Sequence, residues 1–399
     1  MKALSDIVVL DLTHMLSGPY GTMLLADLGA QTIKIEPPIT GEGTRKLLAT
    51  DPENSMHGMG AYFLTLNRNK RSICIDLKSE EGRKLVHQLV EKADVVFDNF
   101  SRGVTARLGL DHATLSKVNP RIITCSVTGF GETGPSPDRP AFDMVAQGMG
   151  GGMSITGEEN GRPMRAGIPI GDLGGGVFGA VGVLAALHAR NATGRGQHVD
   201  ISMLDVQISM LNYMATMYFL SGKNPGALGN GHFVHVPYDA FRTRTRSLII
   251  AVITDNFWKS LTELLQIPEL MDKKYDRQPG RLVDKQFINN TIQAALELES
   301  CEYWLDRLTE RRIPSAPVNN FEHAVNDPQV RARNMVVTVQ HPLGGETQMP
   351  GNPVKLSETY EDSFSPPPLI GQHTDEVLQS ILGMKQGQIT ELRDAGVVG

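Results

Sequence analysis

The sequence predicts an α/β protein built on a doubly wound parallel sheet, with a second, smaller domain beyond about residue 222. Three observations carry this. Through the first 130 residues, short β-branched runs alternate with segments of helical apolar spacing, the pattern of successive βαβ units. From about Asp172 the character changes to two long apolar stretches joined by the polar link NATGRGQH, residues 191–198. A Gly/Asn-rich segment, GKNPGALGNG at residues 222–231, then separates these from fresh strands and charged helices. A chain of 399 residues has room for about two or three domains and for a sizeable core.

Taken in order, residues 7–12 form a strand, and residues 18–28 a helix that stops at Gly29. Residues 32–35 form a second strand, ended by Glu36 and the Pro37-Pro38 pair. Parallel strands joined this way need a right-handed crossover. The pattern repeats as a strand at 72–77, an amphipathic helix at 79–92, a strand at 93–97, a short helix at 111–117 and a strand at 121–127. Residues 173–187 and 201–220 read as buried helices, and the 17 methionines as adaptable core filler. In the second domain a strand falls at 247–253 and helices at 256–265, 285–298 and 303–311. Pro/Gly-rich sequence follows, then helices at 375–382 and 388–395.

Composition removes several classes of function. Net charge is −6, from 38 basic and 44 acidic residues, which is not that of a nucleic-acid binder. Three distant cysteines (Cys74, Cys125, Cys301), without a CxxC pair, argue against a disulfide framework or a zinc site and for a reducing, cytoplasmic setting. The uncharged stretch 173–187 is shorter than the ~20 residues of a membrane span. The N-terminus has one Lys and an apolar run broken by Asp11, so it reads as a strand rather than a signal peptide.

Several motifs carry possible chemistry. GFGETG at 129–134 has the literal spacing of a dinucleotide loop, but Pro135 and Pro137 follow and no helix starts there, which speaks against a nicotinamide cofactor. Asp172, in IPIGDLGGGVFG, is either the N-cap of the next helix or a nucleophilic carboxylate. The glycines around it mean that a neighbouring helix or a ligand approaches the backbone closely. His14 follows the first strand and is a site candidate by position. His232 and His235 form a spaced pair in a loop that contacts substrate or a partner chain, or binds metal. Arg68, Lys70, Arg71, Arg102 and Arg107 are a solvated surface cluster or a phosphate site.

In sequence order, VLDLTHMLSGPYGTMLLADLGAQTIKIEPP, NRNKRSICIDLKS, ADVVFDNFSRG, CSVTGFGETGP and GDLGGGVFGAVGVLAALHARNATGRGQHVDISMLD closely resemble the class III CoA-transferase family, which includes formyl-CoA and carnitine CoA-transferases. HPLGGETQMPGNPVKLS and PPPLIGQHTDEVL are most similar to the branch acting on succinate–hydroxymethylglutarate and itaconate. The resemblance implies a Rossmann-like large domain from residues 1–221 and 331–399, a small α+β domain from 222–330, and an interlocked homodimer. It implies CoA transfer from succinyl-CoA to a small dicarboxylic acid, with no metal and no tightly bound cofactor, acyl-CoA being a substrate. Asp172 matches the family nucleophile, which forms an anhydride and then an aspartyl-CoA thioester. Leu16, Ser17, Ile75, Lys78, Asn99, Phe100, Arg107 and Thr128 match CoA contacts. His14, Arg45, Arg165 and His232 are candidate substrate contacts. Two departures stand out: Pro37 replaces an Arg of some relatives, and the glycine loop of formyl-CoA transferase has no obvious equal, the loop at 229–235 being its candidate substitute. α-Methylacyl-CoA racemases share the D-x-GGG segment, but they need a histidine where this chain reads PAFD.

Overall fold

The computed structural model describes residues 2–360 and 362–399. By internal contacts it divides into two units. One comprises Met1–Gly152, Arg165–Gly222 and Gln329–Gly399, the other Met153–Met164 and Lys223–Pro328. No break in composition marks the short piece Met153–Met164.

The first unit is built on six strands: β1 (Val8–Asp11), β2 (Gln31–Glu36), β3 (Lys70–Cys74), β4 (Val95–Asp98), β5 (Ile123–Thr128) and β6 (His198–Ser202). They form one parallel sheet in the order β3-β2-β1-β4-β5-β6. Strand order reverses at β1, which pairs with β2 on one side and β4 on the other. Val9 lies opposite Thr32 and Val95. The mouth between β1 and β4 is therefore the topological switch point, where open α/β sheets bind ligands.

Side-chain alternation along the strands feeds two cores. Leu10, Ile33, Ile73 and Val96 pack with Leu85, Val86 and Leu89 of the helix Glu80–Val90, and with Val377 and Leu378 of the helix Thr374–Leu382. Val9, Val95, Phe97 and Val127 face the opposite layer. That layer holds helix α1 (Ser17–Asp27) and two later helices, α2 (Asp143–Met149) and α3 (Ile170–Thr193). Here the Gly-rich sequence is explained. A methyl group on Gly176 would lie 2.5 Å from the Ser17 carbonyl oxygen, and one on Gly179 would lie 2.6 Å from the Phe97 ring. The glycines let α3 lie directly on α1 and the sheet. The approach the sequence left open is a helix packing on its neighbour.

The structure corrects three expectations. The segment after the polar link is not one buried helix. It is strand β6, then helices Met203–Met210 and Tyr213–Ser221, broken at Asn212 with φ +48°. The apolar stretch at 173–187 belongs to the 24-residue α3, which is long and apolar enough to span a bilayer by composition. Its buried stripe, Gly175, Gly179, Val183 and Ala186, packs instead within the protein. Arg68 and Lys70 are neither a solvated surface nor a phosphate site. Both are buried, Arg68 paired with Asp27 at 2.7 Å and Lys70 with Asp11 at 2.9 Å.

The second unit has its own antiparallel sheet of Tyr238–Phe241, Leu248–Ala251 and Ser315–Pro317. Helices Asp255–Leu265, Lys285–Leu296 and Cys301–Glu310 cover it, enclosing Trp258, Ile288, Ile292 and Leu308.

Candidate active site

At the switch point a cavity of about 600 Å³ opens over the carboxyl ends of β1, β4 and β5. Its walls come from three places. His14, Met15, Leu16 and Ser17 follow β1, and Asn99, Phe100, Ser101 and Arg102 follow β4. Thr128, Gly129 and residues 137–143, together with Asp172, close the third side.

Asp172 lies in the first turn of α3 and is not its N-cap, which is Pro169. The capping role is taken from outside the helix. Asp143 Oδ1 accepts the amides of Gly171 at 2.7 Å and Asp172 at 3.3 Å. Gln147, one turn further along α2, donates to Asp143 Oδ2 at 2.7 Å and accepts the Ala166 amide at 2.9 Å. This ties the chain leading into α3 to α2. No described residue donates a hydrogen bond to the Asp172 carboxylate. Burial, and secondarily the negative charge of Asp143, push its carboxyl up to about 6. An unbonded, half-buried carboxylate of raised basicity, at the rim of an apolar helix start, can attack an electrophilic carbon.

Other residues singled out from the sequence fall in two groups. His14, Leu16, Ser17, Asn99, Phe100 and Thr128 line the cavity with Asp172. Asn99 clasps the loop after β1, accepting the His14 amide and donating to the His14 carbonyl, both at 2.7 Å. The His14 ring lies 5.3 Å from that of Phe100, and burial, then Lys34, hold the imidazole below its ordinary pKa. Thr128 Oγ1 accepts the Gly131 amide, shaping the GFGETG loop, and no helix follows that loop before α2.

Ile75, Lys78, Arg107, Arg45 and Arg165 do not line this cavity. Ile75 is fully buried in the core and pairs with Val398. Lys78 and Arg107 are exposed. Arg45 holds Glu36 with two bonds of 2.6 Å and lies 3.8 Å over the Phe63 ring, while Arg165 donates to the carbonyls of its neighbours Ala166 and Gly167. His232 belongs to the second unit. It accepts the amides of Val234 and His235 and stacks on Phe233. Among the described residues no three His, Cys, Asp or Glu side chains gather in a metal-binding group.

Sequence reasoning missed Asp143 and Gln147. Their i, i+4 spacing on a helix is the signal that could have found them. It also missed Arg139 as a cavity residue, since loop sequence gives no direction for a side chain.

Fold and cavity together define an α/β protein with a cavity at a sheet switch point and the Asp172 carboxylate on its wall. The chain belongs to CoA-transferase family III, whose model matches residues 4–374, and it is accordingly a CoA-transferase. It is 39% identical to an acetyl-CoA:oxalate CoA-transferase of Acetobacter aceti, over 90% of each chain. A succinyl-CoA:glutarate CoA-transferase of Homo sapiens is 34% identical, over 100% of this chain and 90% of that one. A succinyl-CoA:mesaconate CoA-transferase of Haloarcula marismortui is 38% identical, over 95% and 96%. Among solved structures, a CAIB/BAIF family protein from Brucella suis matches with a TM-score of 0.85 at 33% identity, covering 95% of this chain and 99% of that one.

Proposed function

We propose that this enzyme moves CoA from succinyl-CoA to a small dicarboxylic acid through covalent intermediates on Asp172. The observation that carries the reading is the unbonded Asp172 carboxylate on the cavity at the switch point. One carboxylate oxygen attacks the thioester carbonyl. The C–S bond breaks, giving a succinyl-aspartyl anhydride and CoA thiolate. The thiolate attacks the Asp172 acyl carbon, succinate leaves, and an aspartyl-CoA thioester remains. The acceptor carboxylate then runs the two steps in reverse. Charge balances at each step and no redox partner is needed. The cavity's tasks are to hold thiolate and acid together and to keep water from the anhydride. Leu16, Ser17, Asn99, Phe100 and Thr128 would hold the CoA ester, with His14 beside the acyl group. Relatives acting on glutarate, mesaconate and oxalate support a diacid acceptor.

A second carboxylate on the substrate needs a cation. Arg45 is engaged with buried Glu36, whereas Arg102, paired with exposed Asp138 at 3.3 Å, and Arg139, over the Phe130 ring, line the cavity. Arg102→Ala or Arg139→Ala is expected to raise KM for dicarboxylate acceptors roughly tenfold, the loss of one charge-assisted hydrogen bond. The exchange of labelled acetate into acetyl-CoA should change little in the same variants. Equal losses for acetate and succinate would remove the diacid role.

Activity is expected to fall as pH drops through about 6, because the protonated Asp172 carboxyl is no nucleophile. Asp143→Asn removes one of the two causes of the raised value, so the acid limb of kcat/KM should move to lower pH. An unmoved limb would separate Asp143 from Asp172.

The racemase alternative needs a histidine in the PAFD segment, which lines the cavity with Pro140, Ala141, Phe142 and Asp143 instead. Exchange of labelled succinate into succinyl-CoA tests the transferase reading. Its absence, with deuterium uptake at the α-carbon of a branched acyl-CoA, would favour a racemase.

The reading includes a homodimer formed through the outer face of the first unit. The helix Tyr213–Ser221 (YMATMYFLS) has no buried residue, and Phe219 and Leu220 are 77% and 85% exposed. Along α3, Val177, Val181 and Leu184 form an exposed apolar stripe opposite the buried glycines. Such a surface asks for a partner. A cytoplasmic location is consistent with Cys74, Cys125 and Cys301, all buried and unpaired.

A further inference from the structure

Beneath the cavity wall lies a closed set of six charges. Asp11, Lys34, Glu36, Glu42 and Lys70 are buried, and Arg45 nearly so. Three acids and three bases sum to zero. Lys70 donates to Asp11 at 2.9 Å, to Thr22 at 2.8 Å and to the Pro19 carbonyl at 3.0 Å, and Arg45 grips Glu36. Burying so many ions is costly, and apolar side chains of similar size often serve stability as well or better. The network therefore calls for a purpose beyond holding the sheet together.

Four of its other bonds converge on one short turn. Asp11 accepts the Thr13 amide at 2.9 Å and the Thr13 hydroxyl at 2.5 Å. Lys34 Nζ donates to the Thr13 carbonyl at 2.9 Å. Glu42 accepts the Met15 amide at 3.4 Å and is itself fixed by the Thr44 amide at 2.9 Å. Met15 sits at φ +62°, a left-handed conformation that a methionine adopts only when its surroundings impose it. Directly after this turn the chain supplies Leu16 and Ser17 to the cavity.

We infer that Lys34 and Glu42 are positioning residues, which hold the strained turn after β1 so that His14 through Ser17 form the wall that receives the acyl-CoA. The last clause rests on the proposed function, while the hold on the turn does not. The same charges reach His14 itself. Burial beside the Phe100 ring lowers the imidazole's pKa most, Lys34 lowers it further, and Glu42, Asp11 and Glu36 raise it.

The test uses the full-length enzyme and the single variants Lys34→Met and Glu42→Gln. KM for succinyl-CoA is expected to rise roughly tenfold in each, with kcat within about threefold, since the helix start that carries Asp172 is fixed separately by Asp143. In wild-type protein the His14 ring is followed by NMR titration. Its titration should move to higher pH in Lys34→Met and to lower pH in Glu42→Gln, opposite signs that a general loss of stability would not produce. Lys34→Arg, which keeps the charge and a donor, should restore most of the loss in KM. Should Lys34→Met fail to fold, the near-isosteric Glu42→Gln carries the same measurements. Unchanged KM in folded variants, or His14 shifts of one sign, would overturn the inference. If the wild-type enzyme shows no saturable use of succinyl-CoA, the proposed function fails, and a crystal structure of Glu42→Gln still decides the hold on the turn, an unmoved backbone from Thr13 to Ser17 overturning the inference.

Discussion

Asp172→Asn is expected to abolish CoA transfer, by at least about a thousandfold in kcat, and to leave the protein more stable than its parent at neutral pH. The two effects share a cause. The native state holds the Asp172 carboxyl at about 6, above the ordinary value of 3.8. Between those values the folded protein binds more protons than the unfolded chain, so this group's contribution to stability is present at low pH and lost as pH rises through about 6. At pH 7 and above the ionised carboxylate is a burden with a ceiling of about 3 kcal/mol, reduced by the solvent screening of a partly exposed side chain. Asparagine has the same shape and no charge to desolvate. Melting curves should therefore place Asp172→Asn above wild type at pH 7.5 and converge with it near pH 4. A variant that retains turnover would remove Asp172 from the chemistry. A variant of unchanged or lower melting temperature at pH 7.5 would show that its environment does not resist ionisation.

The second large effect concerns the exposed apolar face. Val181 is 54% exposed on the outer stripe of α3, between Val177 and Leu184. Val181→Glu places a charge where the proposed partner would exclude water, and an unpaired buried charge weakens an association by several kcal/mol. The expected result is a dimer-to-monomer shift in size-exclusion light scattering, with helical circular dichroism retained, because the inner stripe of Gly179, Val183 and Ala186 is untouched. A monomeric wild type would remove the dimer, and a dimer that tolerates Val181→Glu and Leu220→Glu together would place its interface elsewhere.

Local pattern carried most of the large sheet into view. Five of its six strands and α1 follow from alternation and from stops such as Gly29 and Pro37, which act on their own neighbourhood. Strand β6 escaped because HVDIS is short and directly follows the polar link. The basic residues misled because their partners are remote. Arg68 meets Asp27 across 41 residues and Lys70 meets Asp11 across 59, and nothing in the local sequence separates a buried ion pair from a solvated cluster. Asp172 stood out because glycines surround it. Those glycines record the packing of α3 on α1, so the signal was genuine but its immediate cause was structural. Asp143, which caps α3 from another helix, depends on tertiary placement and lay beyond what one sequence offers.

The claim that Asp172 carries the transferred group is tested most directly by trapping. The enzyme is mixed with succinyl-CoA and hydroxylamine, digested, and its peptides mapped by mass spectrometry. Hydroxylamine cleaves an aspartyl anhydride or thioester and leaves a hydroxamate on the side chain. A hydroxamate at Asp172, dependent on succinyl-CoA and lost in Asp172→Asn, is the expected result. An unmodified Asp172 in enzyme that is turning over, or a hydroxamate at Asp143 instead, would contradict it.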